Sequence, residues 1–312
     1  MLAPEPGYRY APESPSEPAP RIRAFEAIQF PFQTPAWLSN LLIGFVFFVI
    51  PIAGPIALRG YSAEIHQRLV RRHPEPLPRL SFADLGHFLE RGILAFVLEL
   101  VLFLPLFFAI YLVVGIGVAL LVVGAEAGVN TGVLVGAGIG LGLFTIAGMF
   151  FSALLYQAGT TRVEITEDLG GSLRPAQLWD FMKRAGKPLA WAMVAFAFLA
   201  TGLFFGGMLF FVVGMYPAVV AIQLASTHLR FQAYRVYLAE GGVPYPLKAP
   251  RMLPSEAQRY GHAAHAFGPP PGMTPHAPPP GALPPPPIGW NPGPPPGGAW
   301  PPAPPGPPYG PR

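Results

Sequence analysis

The sequence predicts an all-α protein: a polytopic transmembrane helical bundle of about five spans, with short interfacial helices and disordered termini. Three observations carry this. The 312 residues are 52% hydrophobic and only 12% charged, against about 25% charged in a typical soluble domain. The apolar residues gather in long blocks nearly free of charge, and a helix of about 20 such residues crosses the hydrocarbon layer. The two ends of the chain are instead rich in proline and small polar residues, which cannot build a core.

Residues 1–20 are rich in Pro, Glu and Ser and are expected to be disordered. No secretory signal pattern precedes the first apolar block, so insertion is expected to rely on the first span itself. Next, Ile22, Phe25 and Ile28 recur at helical spacing among Arg and Glu. That fits a short helix on the membrane surface, or a solvated linker. The first span is placed at 37–58, 22 residues without a charge. Pro51 and Pro55 should kink it. Trp37 and Tyr61 sit near its ends, where amphipathic rings favour the interface. Two courses are open for this segment. A full crossing puts the N-terminus outside and is the working expectation. A re-entrant half-span broken at the prolines keeps it inside.

The polar segment 59–91 carries Arg68, Arg71, Arg72, Arg79 and Arg91. Within it, Ser81 and Asp84 form a cap ahead of Phe82, Leu85, Phe88 and Leu89, which predicts a short interfacial helix at 82–91. The second span is 92–114, with Pro105 and one charge, Glu99. Residues 115–130 hold no basic residue and are expected as a loop, followed by a third span at 131–156. Gly124, Gly128, Gly132, Gly136 and Gly140 recur every four residues, a face that allows close approach of a neighbouring helix. The glycines at 136–142 are not a dinucleotide loop, because no strand precedes them.

A second polar segment, 157–187, carries Arg162, Arg174, Lys183, Arg184 and Lys187. The apolar block 188–225 would be about 57 Å long as one helix, nearly twice the hydrocarbon thickness of about 30 Å. It is read as two crossings, 188–206 and 208–228, turning at Gly206-Gly207. The domain division is therefore 1–20, a transmembrane domain over 21–240, and a Pro/Gly-rich disordered tail over 241–312, which is nearly half proline from 268.

Arginine-rich loops stay cytoplasmic. This predicts a multi-pass protein of the cell membrane, with 59–91, 157–187 and the C-terminal tail on the cytoplasmic side and 115–130 outside. Residues 80–91 also echo 173–184: Leu, Ala, Leu, Phe and Arg fall at the same offsets, and each copy precedes a two-span unit.

One further pattern is more specific. An amphipathic lead-in runs from Phe25 to Trp37, followed by Leu42-Ile43-Gly44, Ile50-Pro51-Ile52, Gly60-Tyr61 and Leu77-Pro78. This order resembles a family of prokaryotic membrane proteins, the domain of unknown function number 4013. Most members carry Trp soon after Leu-Pro, where this chain has Arg79-Leu80. The resemblance covers about residues 22–240. It implies a polytopic helical protein with a kinked first helix, and no catalytic residues.

Cysteine is absent, which excludes disulfides, thiolate metal sites and a cysteine nucleophile. No nucleophile–base pair, metal set or phosphate loop has usable spacing. No enzyme activity, cofactor or metal is therefore expected. Glu99 is the candidate intramembrane polar site, set against a carboxylate that reaches the interface or bonds within the bundle. His66, His73 and His87 match no helical ligand pair and read as solvated or interfacial. Arg68, Arg71, Arg72 and Arg79 are candidate contacts for anionic lipids. The expected partners are the lipid bilayer, anionic lipids, and a Pro-rich-motif-binding protein docking PxxP segments of the tail at 284–287 and 301–304. Nucleic acid is not expected. Two functions fit: a non-enzymatic protein that organises membrane or partner, and a small transporter or channel with a site near Glu99.

Overall fold

A computed structural model describes residues 19–209 and 214–259. The expectations for 1–18 and for 260–312, including the PxxP segments, lie outside the described residues. Among these residues every regular element is helical.

The chain enters through α1 (Ala24–Gln29) and a 3₁₀ turn (Phe30–Phe32). Of the expected stripe, Ile22 and Ile28 pack partly against the core while Phe25 does not. Ala24 and Ala27 are buried against later helices, and Phe25 stays 62% exposed. The backbone N–H of Arg23 donates to Gln232 at 2.6 Å, and Phe30 stacks on His228 at 4.6 Å.

The expected single span at 37–58 is two helices, α2 (Trp37–Val49) and α3 (Ala53–Val70). The helix breaks because Pro51 removes an amide donor and restricts Ile50, which is extended at ψ 112. Ile52 takes a left-handed φ of 62. The two arms run antiparallel. At the tip, a Cβ on Gly54 would lie 1.5 Å from the Phe47 carbonyl oxygen. At the base, Asn40 Nδ2 and the Tyr61 hydroxyl both donate to the Pro78 carbonyl, at 3.3 and 2.6 Å. The 13 residues of α2 rise about 20 Å, short of the roughly 30 Å needed to cross. The continuous 22-residue crossing helix expected at 37–58 is therefore not formed, and α3 folds back along α2 instead.

Ser81 caps the next start by accepting from the Ala83 amide at 3.2 Å. The expected interfacial helix, second span and outer loop then fuse into one helix, α4 (Leu85–Glu126). Ile116, Val118 and Leu120–Val123 continue the apolar helix through what lacks basic residues but is no loop. The turn is confined to 127–130, where Gly128 takes φ +74. Asn130 caps α5 (Thr131–Thr166) by accepting from the Gly132 amide at 2.8 Å. Asp168 caps the single turn α6 (Leu169–Ser172), and Pro175 opens α7 (Pro175–Met208). The chain returns as α8 (Met215–Ala239), whose apolar run ends at Ala225 before Ser226, Thr227, His228 and Arg230.

Among the described residues, three helical stretches are long and apolar enough to cross a membrane: Phe82–Glu126, Thr131–Thr166 and Pro175–Met208. A fourth counts if Ala24–Phe32 and Trp37–Val49, bent by 92°, form one span. The all-α polytopic architecture holds, with three to four candidate spans where about five were expected. Of the glycines expected on a packing face, Gly124 meets Leu134, while Gly136 and Gly140 face open space. A far closer helix approach lies elsewhere, between α3 and α4. A Cβ on Gly60 would sit 1.8 Å from the Phe88 carbonyl oxygen, and one on Gly92 1.8 Å from that of Ile56. In the two echoing segments, Phe88 and Phe181 are both buried, and each segment leads into a helical hairpin.

The division at 240 falls too early. Residues 241–259 form a strap that packs back on the helices, with Tyr245, Leu253 and Ser255 buried. Asp84 receives both the Ser255 amide and hydroxyl, at 2.8 and 2.6 Å, and Arg251 pairs with Glu90 at 2.8 Å. Composition misses this because two apolar anchors are diluted among prolines. Asp84→Ala removes both acceptors, leaves the buried Ser255 donors unsatisfied and should cost about 1–3 kcal/mol. Limited proteolysis checks it: cleavage within 241–259 should become several-fold faster, and an unchanged rate would deny the strap its latch.

Candidate functional site: a buried charge cluster and an adjoining cleft

Helical periodicity puts Glu64 and Arg68 on one face of α3, with Gln67 beside them. Glycine contact at Gly60 and Gly92 brings Arg91 of α4 against that face. The last turn of α5 contributes Glu164 and Glu167, and α8 contributes Arg230. Arg68 Nε donates to Glu64 at 2.6 Å and its Nη2 to Glu256 of the strap at 2.8 Å. Arg91 bonds Glu64 and Gln67 and reaches Glu167 at 2.8 Å. Arg230 grips Glu164 with two bonds, at 2.8 and 3.1 Å, and also donates to Ser226, Thr227 and Gln157. His66 meets Glu164 through Nδ1 at 2.8 Å. Glu64, His66, Arg68, Arg91, Glu164 and Arg230 are all buried.

Three guanidiniums thus face four carboxylates contributed by α3, α5 and the strap. Each buried charge has an opposite partner, which is the condition for burying charge at all. Burial works against ionisation of Glu64, but the His87 ring and the charges of Arg91 and Arg68 outweigh it and hold its carboxyl down to about 2, from the usual 4.5. A group with a lower pKa in the folded chain stabilises the fold above its ordinary value, and that contribution fades as pH falls through the folded value. Protein in detergent should therefore lose thermal stability between about pH 4.5 and pH 2. Glu64→Gln should flatten that part of the profile, and an identical slope would remove Glu64 from the effect.

Glu99 lies outside the cluster. Arg59 of α3 holds it with two bonds, Nη2–Oε1 at 2.9 Å and Nε–Oε2 at 3.0 Å. The Arg59 guanidinium also stands 5.7 Å from the Tyr156 ring centre. The expected intramembrane carboxylate is therefore bonded within the bundle. Beside the pair opens a cleft of about 720 Å³, lined chiefly by α4, α3 and α8, with Phe48, Tyr156 and Phe196 also on its wall.

Of the four arginines expected at anionic lipids, Arg68 is a correction. It is 5% exposed and committed to Glu64 and Glu256, so it cannot reach a headgroup. Arg71 donates to Gln67 and to the Lys248 carbonyl, while Arg72 and Arg79 are exposed. His66, expected as solvated or interfacial, is also corrected, since it sits fully buried. His87 lies 3.7 Å from Glu64, and His73 is exposed. The partners Glu164 and Arg230 escaped the sequence reading, since each sat in or beside a loop whose charges were counted only for orientation. The Glu64–Arg68 spacing of four was the one visible signal.

No curated protein and no solved structure matches the chain. Residues 43–225 match the family described as Protein of unknown function (DUF4013). The matched stretch holds both α3–α4 glycines, the Arg59–Glu99 pair and the cluster residues from Glu64 to Glu167, and it ends before Arg230. That stretch is more than half of the chain, which therefore belongs to the DUF4013 family.

Proposed function

We propose that this chain is a non-enzymatic membrane protein that organises its surroundings in the bilayer through the α4–α5 hairpin. One observation supports the reading most. The most apolar windows of α4 and α5 are not buried inside the molecule at all. Leu112, Val122, Val133, Ile139 and Phe144 face outward, so the part of the hairpin far from the charge cluster adds little to the chain's own core. Nearer the cluster, α4 and α5 join that core through Phe88, Leu98, Leu154 and Ala158. The outward surface is available to lipid and to other membrane proteins. The charge cluster acts as the clamp at its base. The positive-inside rule assigns the clamp, the strap and the tail to the cytoplasmic side.

Photoreactive residues at Ile139 and Phe144, on the hairpin, test the reading in native membranes. They should capture the same membrane protein partner reproducibly, and Gly136→Leu with Gly140→Leu should abolish that capture. Lipid adducts alone, unchanged by the glycine substitutions, would contradict it.

A transporter with a site at Glu99 is favoured by the cleft beside that residue. The bidentate bond to Arg59 weighs against it, because a coupling carboxylate must be free to exchange its partner. Equal flux through liposomes carrying wild-type protein and Glu99→Gln is the outcome expected here.

A further inference from the structure

We propose that the cleft between α4 and the α3–α8 pair seats one zwitterionic phospholipid, with an acyl chain along α4 and its head group at Arg59, Glu99 and Gln223. The inference goes beyond the outward role of the hairpin, because it concerns the gap between hairpin and body.

The cleft is graded in polarity, and in the same direction on three separate helices. Along α3 the lining changes from Pro55 to Arg59, along α8 from Val219 to Gln223 and Ser226, and along α4 from Phe107 and Leu104 to Glu99, with Phe96 beyond it. On each helix the polar lining residues lie toward the charge cluster and the long apolar run lies away from it. A lipid in the leaflet on that side would lie with the same polarity, its head by the cluster and its chain toward the bilayer centre. The volume of about 720 Å³ falls within the roughly 300–1,000 Å³ typical of ligand sites. The α4 wall belongs to a crossing stretch, and Leu100, Leu104 and Phe107 are each about half exposed. Hydrocarbon, rather than water, is the natural filling for such walls.

The head group follows from charge. Arg59 and Glu99 present both signs side by side with no net charge. A phosphate can accept from the guanidinium edge while an ammonium lies near the carboxylate. A head with only negative charge would have to stand beside Glu99 without compensation.

The test uses the full chain in nanodiscs that contain phosphatidylethanolamine with a diazirine in its acyl chain, compared with a phosphatidylglycerol analogue. Adducts from the ethanolamine lipid should concentrate at 96–107 and 219–226. Ile222→Trp, which fills the cleft from α8, should lower them at least five-fold. Leu104→Trp fills it from α4 and should do the same if the first variant fails to fold. Adducts at Ile139 and Phe144, on the open face, should not change in either variant. If both variants misfold, the wild-type distribution alone decides. The proposal is overturned if cleft residues label no more than the open face. It is equally overturned if a folded tryptophan variant labels like wild type, or if the glycerol lipid labels the cleft as strongly.

Discussion

Arg230→Met is expected to destabilise the protein by about 3–5 kcal/mol, because it strands Glu164 as a buried carboxylate without its bidentate partner. Both side chains are about 1% exposed or less, so water cannot replace what is lost. The His66 ring remains at 2.8 Å, but it would have to take up a proton in a fully buried position to compensate. For a domain of this size the loss corresponds to a drop of about 10 °C in Tm. Removing both charges should behave differently. Arg230→Met combined with Glu164→Leu replaces an ion pair by packed apolar groups, and such replacements are often neutral or stabilising. Thermal unfolding in detergent should show the double variant recovering most of the loss. A double variant as unstable as the single would mean that Arg230 acts through its bonds to Ser226, Thr227 and Gln157 instead.

The second large effect comes from a methyl group. Gly92→Ala places a Cβ 1.8 Å from the Ile56 carbonyl oxygen. The obstacle is backbone within a helix, so no side-chain rotation relieves it. Overpacking costs about 1–3 kcal/mol in ordinary cores and more where nothing can move. We expect at least 3 kcal/mol here, about the upper end of that range, and the same for Gly60→Ala. Glycines on α5 give the opposite sign. Gly136 and Gly140 meet nothing within 4 Å of an added Cβ, and alanine is the better helix former by about 1 kcal/mol. Their alanine variants should melt at or slightly above the wild-type temperature. If Gly92→Ala and Gly136→Ala melted alike, close packing of α3 on α4 would not be what fixes the fold.

These two expectations also show what the sequence could and could not reveal. Long apolar blocks announce α4, α5 and α7 directly, since few other patterns explain stretches from Ile93 to Val123 with a single charge. Pro51 and Pro55 announce a break, but not its angle. Whether a broken helix continues or folds back depends on Tyr61 and Asn40 meeting the same carbonyl of Pro78, and that contact has no local signature. The loop expected at 115–130 failed for a related reason. Lack of basic residues marks a side of the membrane, not a conformation, and Ile116–Val123 is as helical as the span before it. The glycine spacing of four on α5 was conspicuous, yet the two glycines that bring α3 and α4 together, Gly60 and Gly92, belong to no such repeat. The charge cluster was least legible. Glu64 and Glu164 are 100 positions apart, and their loops read as solvated until α3, α5 and α8 are seen side by side.

The account rests on α2 and α3 turning back on one side while α4 and α5 reach the other. The chain has no cysteine, so single replacements at Phe25, Arg72 and Val129 can be labelled cleanly with a membrane-impermeant maleimide in oriented vesicles. Phe25→Cys and Arg72→Cys should react from one side, and Val129→Cys only from the opposite side. Finding positions 25 and 72 on opposite faces, or 129 on the same face as 72, would contradict it.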